Sequence, residues 1–351
     1  MGVSFGLGSS ALLPAGLGFR NKIINGDFSI NQRVFTSTTT QSTFGFDRWY
    51  QINNDGTTTY SAQTFALGNA ISGQESKNHA RMVTTGQTLT GAYSILVQRI
   101  EGVRSLAGQT AIISFWAKAA SGTPKISIEF EQVFGTGGSP SSTVQTYVGQ
   151  STISTSWVRY QLSVVVPSIS GKTIGSNNDD SLAFNIWVSG GSTYNSRNGS
   201  LGIQSNTFDI WGVQVEANYQ LTTFEQRPIG TELALCQRYY YRYTGITSGG
   251  YTRIPSLIGS TGASSAQGVM YNPVPLRTLN GASSIESFQV SVSDNLTFDS
   301  GYGTLSLNTS NSSANTTFIA ISSIAGTFTQ GLARVLVLTT TAGYIGVSAE
   351  F

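Results

Sequence analysis

Glu129 and Glu131 stand two apart in Lys125-Ile126-Ser127-Ile128-Glu129-Phe130-Glu131, and strand geometry sets such a pair about 7 Å apart on one face. Two carboxylates at that spacing are what glycoside hydrolysis asks for. The alternation also has a plainer reading, which it favours: Ile126, Ile128 and Phe130 face a core while the two glutamates lie on the solvated side of a sheet. Asp179-Asp180 follows Asn177-Asn178, either a set of oxygen ligands for Ca²⁺ or, as these residue types favour, a simple turn. The lone His79 has no nucleophile near it in sequence, and there is no Gly-x-Ser-x-Gly elbow and no phosphate-binding glycine spacing. Cys236 is the only cysteine, so it forms no intrachain disulfide and, with one histidine, no His/Cys zinc site; it is expected to be a buried small hydrophobe. No catalytic residue is assigned, and the protein is expected not to be an enzyme.

The aromatic residues offer binding chemistry instead. Trp49, Tyr50, Trp116, Trp157, Tyr160, Trp187 and Trp211 fall in strand-like segments, where rings either fill a sandwich or line its concave face. Core is the expectation for Trp116 and Trp211, which sit in apolar runs. Tyr147, Tyr194 and Tyr219 lie in or beside loops, where a flat ring can stack on a sugar, and are the candidate ligand-binding residues. The run Tyr239-Tyr240-Tyr241 with Tyr243 is the densest aromatic cluster and is expected at an interdomain or subunit contact.

The elements that must position these residues are strands. Only 10% of the 351 residues are charged, against a norm of about 25%, and Ser, Thr, Gly and Asn supply the polarity, a mixture suited to sheets and turns. Strands are expected at 22–31, 47–52, 57–64, 79–84, 93–100, 110–119, 125–134, 143–150, 158–166, 182–188 and 207–215, with turn signals such as Asn54-Asp55-Gly56 and Ser189-Gly190-Gly191-Ser192 between them. With no βα alternation and no fixed-period repeat, the expected fold is all-β: a jelly-roll β-sandwich over 20–230, its first and last segments side by side. A short connector helix over 231–241, capped by Thr231, opens a linker to residue 250, and 251–351 forms a smaller C-terminal β-sandwich. Residues 1–19 read as an arm that either frays or packs on a neighbouring subunit. They carry no basic segment before a long apolar one, so they resemble neither a signal peptide nor a membrane anchor. The net charge is +2 with no Lys/Arg run, so neither nucleic acid nor membrane is an expected partner.

One set of motifs is more specific than any of its parts. Asn21-Lys22-Ile23-Ile24-Asn25-Gly26-Asp27-Phe28-Ser29-Ile30-Asn31-Gln32-Arg33, Asp47-Arg48-Trp49, Ser114-Phe115-Trp116-Ala117-Lys118-Ala119, Asp209-Ile210-Trp211-Gly212-Val213-Gln214-Val215-Glu216, Phe224-Glu225-Gln226-Arg227-Pro228 and Cys236-Gln237-Arg238-Tyr239-Tyr240 together resemble bacteriophage tail-fibre and related virion proteins. The opening Asn-Gly-Asp-Phe and the closing Asp-Ile-x-Gly-Val-x-Val-Glu also resemble jelly-roll carbohydrate-binding modules. The resemblance implies a non-catalytic receptor-binding part of a virion. It would be a homotrimer, joined to other tail or capsid proteins through the arm and attached to a host-surface polysaccharide. It also implies a structural Ca²⁺ near Asp27 and Asp209, with no other cofactor. The alternative is a capsid or baseplate decoration or adaptor with a purely architectural role, because the chain lacks the shaft of a long fibre.

Overall fold

The computed structural model describes residues 19–71, 73–218, 220–245, 252–262, 264–277, 284–293, 303–322, 333–338 and 340–350. Of the expected arm, only Phe19 is among them. Short β-rich segments broken by Gly, Asn and Asp fold as strands throughout, for the reason the alternation gives: one row of side chains is apolar and is covered. In the first two-thirds these are β1 (Ser37–Thr38), β2 (Thr43–Phe44), β3 (Tyr50–Asn54), β4 (Thr57–Thr64), β5 (Asn78–Thr85) and β6 (Tyr93–Glu101). They continue as β7 (Thr110–Ala119), β8 (Lys125–Val133), β9 (Val144–Thr152), β10 (Val158–Val165), β11 (Ser181–Gly190) and β12 (Asn206–Ala217). One sheet runs β1-β4-β5-β12-β7-β10 and the other β2-β3-β6-β11-β8-β9, with antiparallel pairing throughout. Trp49, Tyr60, Met82, Ile113, Phe115, Phe130, Phe184, Phe208 and Ile210 fill the space between them. The first region is therefore the expected all-β sandwich.

Its opening segment lies beside its closing strand but is not a strand itself. β5 covers one edge of β12 only from Asn206 to Ile210. Beyond that point residues 21–26 take its place, with the Lys22 amide donating to Val215 O at 2.8 Å and the Val213 amide to Gly26 O at 2.9 Å. Left-handed backbone at Asn25 and Phe28 breaks the extended run expected over 22–31. The Asn25 side chain holds the resulting turn by bonding the Ile30 amide and the Ile30 and Asp47 carbonyls. Gly26 is needed for the approach, since a Cβ there would lie 2.1 Å from Val213 O. Gly212 is needed as well: it sits in a β12 bulge at φ +62°, and a Cβ would meet the Trp116 ring at 2.7 Å.

Between β11 and β12 a short helix α1 (Asn195–Asn198) lies over the second sheet. The connector helix α2 spans Ile229–Gln237, two residues earlier than expected, and begins behind Pro228 with no side-chain cap from Thr231. It also stops earlier. Tyr240 to Thr244 are β-formers and make β13 (Tyr240–Thr244), which pairs with a C-terminal strand instead of extending the helix. The remaining strands are β14 (Thr252–Arg253), β15 (Ser256–Gly262), β16 (Ser265–Tyr271), β17 (Ser284–Phe288), β18 (Val290–Ser293), β19 (Thr304–Leu307), β20 (Thr316–Ser322), β21 (Ala333–Leu338) and β22 (Tyr344–Ser348). They form a sheet β13-β22-β17 and a larger one, β14-β21-β15-β16-β20-β19 with β18 also on β21, around Ile258, Met270, Ile319, Leu336, Ile345 and Val347.

A buried polar joint ties the two halves. The Arg48 guanidinium lies 3.5 Å over the Tyr239 ring and is paired with Glu350. Arg33 lies 3.6 Å over Tyr240, with Glu350 at 3.5 Å and Asp47 at 3.8 Å. The Gln32 side-chain Nε2 donates to Tyr240 O at 2.7 Å, and the Ala349 backbone amide to Tyr239 O at 2.7 Å. Desolvation raises the Asp47 carboxyl above its ordinary range despite Arg33 beside it. Cys236 is buried in α2, and burial pushes its thiol well up.

Candidate functional site

The outward face of the β1-β4-β5-β12-β7-β10 sheet carries the chemistry. Tyr60, Ala80, Met82, Ile210 and Ala117 point into the core, so their strand neighbours point out. Register then aligns Ser61, Arg81, Asp209 and Lys118 in one row across β4, β5, β12 and β7. A second row holds Gln63 opposite His79, and Trp211 opposite Trp116 with Arg159 beyond. The segment 65–71 after β4 and Trp157 just before β10 rise on either flank and turn this face into an open cleft of about 670 Å³.

Aromatic rings form its wall and floor. Phe65 packs 4.5 Å from His79 and 5.6 Å from Trp157, and the His79 and Trp157 rings meet edge-on at 5.3 Å. Beneath them Trp211 and Trp116 are 5.3 Å apart, the first donating its indole N–H to Ser76 at 2.7 Å. Both are buried as expected, although Trp116 also lines the cleft and carries Arg159 at 4.6 Å on its ring. Phe65 and Trp157 are only half-buried, which leaves ring surface facing the opening.

The polar groups are arranged around one carboxylate. Arg81 bonds both oxygens of Asp209, at 2.6 and 2.9 Å, while Lys118 Nζ and His79 Nε2 each lie 3.6 Å from Oδ2. Burial alone pushes the Asp209 carboxyl up, but Arg81 and His79 together outweigh it and hold the group far below the usual carboxylate range. The same bonds raise the Arg81 guanidinium. His79 is 6% exposed; its Nε2 faces Asp209, and its Nδ1 has no hydrogen-bond partner. Among the described residues no carboxylate lines the cleft itself, with Asp209 beneath it, so the site offers stacking surface and hydrogen-bond donors rather than a pair of acids.

The residues singled out from sequence lie elsewhere. Tyr147 lies in β9 of the other sheet, and Tyr194 ends the short 3-10 turn that packs on that sheet. Tyr147 is 39% exposed with its ring against Gly199, and Tyr194 packs on Tyr93 and Trp187. Tyr219 lies outside the described residues. Glu129 is not on a solvated face: it is fully buried and accepts bonds from Arg197 Nε and Nη2, Asn185 and Trp187 Nε1 at 2.7 to 3.0 Å. Glu131 shares Arg197 at 2.6 Å, and the alternation could not reveal the α1 segment that covers both. Asp179 binds the Thr136 amide and hydroxyl, and Asp180 the Val103 amide, which makes that cluster a turn brace. At Asp209 the surrounding cations do not suit a calcium ion. Asp209 is ringed by Arg81, Lys118 and His79, and Asp27 accepts from the Ser29 amide. Of the tyrosine cluster, Tyr239 bonds Glu101 of the first sandwich, Tyr240 bonds Glu286, and Tyr241 and Tyr243 bond Asn272 and the Tyr271 carbonyl in the second half. The cleft residues Phe65, His79, Arg81 and Lys118 were not singled out as a site. Their one sequence signal is a charged or polar residue at alternate positions of otherwise core-forming strands.

No family model and no curated protein matches the chain. Solved structures do. A protein of Bacteroides thetaiotaomicron VPI-5482, provisionally designated sugar-binding, is 16% identical over 56% of this chain and all of that one, with a TM-score of 0.35. The family 11 carbohydrate-binding module of Clostridium thermocellum, in complex with a β-1,3-1,4-mixed-linked tetrasaccharide, is 14% identical over 54% of this chain and 99% of its own, with a TM-score of 0.30. The CBM22-1 xylan-binding domain of Paenibacillus barcinonensis Xyn10C is 12% identical over 52% and 90%, with a TM-score of 0.28. Likeness at this level carries no argument about ligand, and these structures say nothing of a virion. The sandwich assignment rests on the strand pairing itself.

Proposed function

We propose that the chain is a non-catalytic glycan-binding protein whose saccharide lies in the cleft against Trp157 and Phe65, and that it serves as the receptor-binding part of a bacteriophage particle. The observation that carries the first statement is the partly exposed Trp157 ring standing beside Phe65 and His79, in a cleft also lined by the donors Arg81 and Lys118. Sugars present apolar ring faces and hydroxyl edges, which such a wall and such donors complement. The virion role is supported by the motif set alone, and a homotrimer anchored through residues 1–19 would turn shallow contacts into avidity. A glycan array and isothermal titration against Trp157→Ala test the binding: the variant is expected to lose at least about tenfold in affinity, the order a stacking ring supplies with its buried area. Unchanged binding, or none by the wild-type protein, refutes the reading. Adsorption of host cells by the purified protein tests the virion role.

One observation favours the second reading, an architectural capsid or baseplate part. Asn25, Gln32, Arg33, Asp47, Arg48, Tyr239 and Tyr240, all from the quoted motifs, converge on the joint and its supporting turn rather than the cleft. Imaging of an intact particle separates the two, because a receptor binder must leave the cleft uncovered.

A further inference from the structure

We infer that the saccharide taken by the cleft is acidic, carrying a carboxylate or sulfate that lies over Arg81, Lys118 and His79; this rests on the proposed glycan-binding role and names its ligand class. Donors there outnumber acceptors. Arg81 bonds Asp209 through Nε and Nη2, which leaves Nη1 outside that pair, and the residue lines the cleft. Lys118 Nζ is beyond hydrogen-bond distance of Asp209, at 3.6 Å, and its side chain is 34% exposed at the cleft, 5.4 Å from the Trp157 ring centroid. Asp209 is a single carboxylate facing two permanent cations and an imidazole, so it does not balance the charge around it.

His79 supplies a second, independent sign. Its ring is more than nine-tenths buried and its Nδ1 has no partner, which is costly unless something else completes it. It lines the cleft between Phe65 and Trp157, so a group bound against those rings is within its reach. A neutral glycan hydroxyl can accept one such bond. An anionic oxygen group accepts several at once and neutralises the excess charge, with a charge-assisted bond the stronger kind. The wall and the charge therefore select different parts of one ligand, the ring face and its acidic substituent.

The test uses the full chain and a panel of oligosaccharides built from uronic acids, sialic acids or sulfated sugars, each beside its carboxyl-reduced or desulfated counterpart. Isothermal titration is expected to show acidic members bound at least about tenfold tighter than their neutral counterparts. Raising salt from about 0.05 to about 0.5 M should weaken the acidic ligands. Lys118→Gln should shrink the acidic preference about tenfold, and the salt dependence of the wild-type protein stands as a readout should that variant fold poorly. Loss of the preference on reduction but not desulfation identifies a carboxylate, and the converse a sulfate. Equal affinity for both members of each pair, with Trp157→Ala still abolishing binding, overturns this inference and leaves the glycan-binding role standing. Binding of no member overturns both.

Discussion

Replacing Glu129 and Glu131 in turn by glutamine separates a buried clamp from a solvated sheet face. The two side chains are two residues apart on β8 and share Arg197, yet Glu129 has no exposed side-chain surface while Glu131 has 21%. Glutamine at 129 keeps the volume, so no cavity contributes. What it loses is a charge: Arg197 donates to this carboxylate at 2.7 and 2.9 Å, Asn185 at 2.9 Å and Trp187 at 3.0 Å. An amide in that place turns an N–H₂ toward one of these donors and leaves Arg197 poorly compensated. Breaking such a buried pair costs about 3–5 kcal/mol. Glu131→Gln keeps an acceptor in a partly wet site and should cost about 1 kcal/mol or less. In urea unfolding followed by tryptophan fluorescence, with slopes of about 2–3 kcal/mol per molar, the first variant moves the midpoint down by about 1–2 M and the second barely at all. Equal and small shifts would refute the clamp. Loss of a polysaccharide-cleaving activity in either variant would revive the catalytic pair that their spacing first suggested.

Two further outcomes follow from the buried groups. Glu350→Gln removes the partner of Arg48 in the joint, at a cost of about 3 kcal/mol; the buried Cys236 thiol should then react with an aromatic disulfide reagent about a hundredfold faster, and an unchanged rate would show that the joint is not held by this pair. The folded-state carboxyl of Asp209 is depressed, so its contribution is fully present above the unfolded value of about 3.9 and drains as pH falls below it toward the folded one. Asp209→Asn should accordingly lose stability at pH 7 and show a flatter decline than wild type between about pH 5 and pH 2, and parallel declines would mean that Arg81 and His79 do not hold the carboxylate.

Much of the fold was legible because burial of one row of side chains is a local pattern. Lys125 to Val133 and Thr110 to Ala119 are strands where their apolar positions place them. The opening segment was misread as a strand because Asn25-Gly26-Asp27 is turn chemistry set inside an apolar run, and the turn prevails. The motif residues were legible as a set, but not their task. Arg33, Arg48 and Glu350 lie far apart in the chain, and no spacing shows that two guanidinium groups stack on Tyr239 and Tyr240.

The residues alone determined that this chain is strand-built and low in charge, since composition and period-two alternation act over a few neighbours. Tertiary structure decided what covers each face. It placed α1 over Glu129, left Trp157 and Phe65 partly open beside Arg81 and Lys118, and set Tyr147 in the opposite sheet with Tyr194 packed over it. Alternation says which of two sides a side chain takes, while cover depends on segments more than sixty residues away, such as Arg197 reaching Glu129. That is why the cleft was invisible in a sequence whose strands were plain.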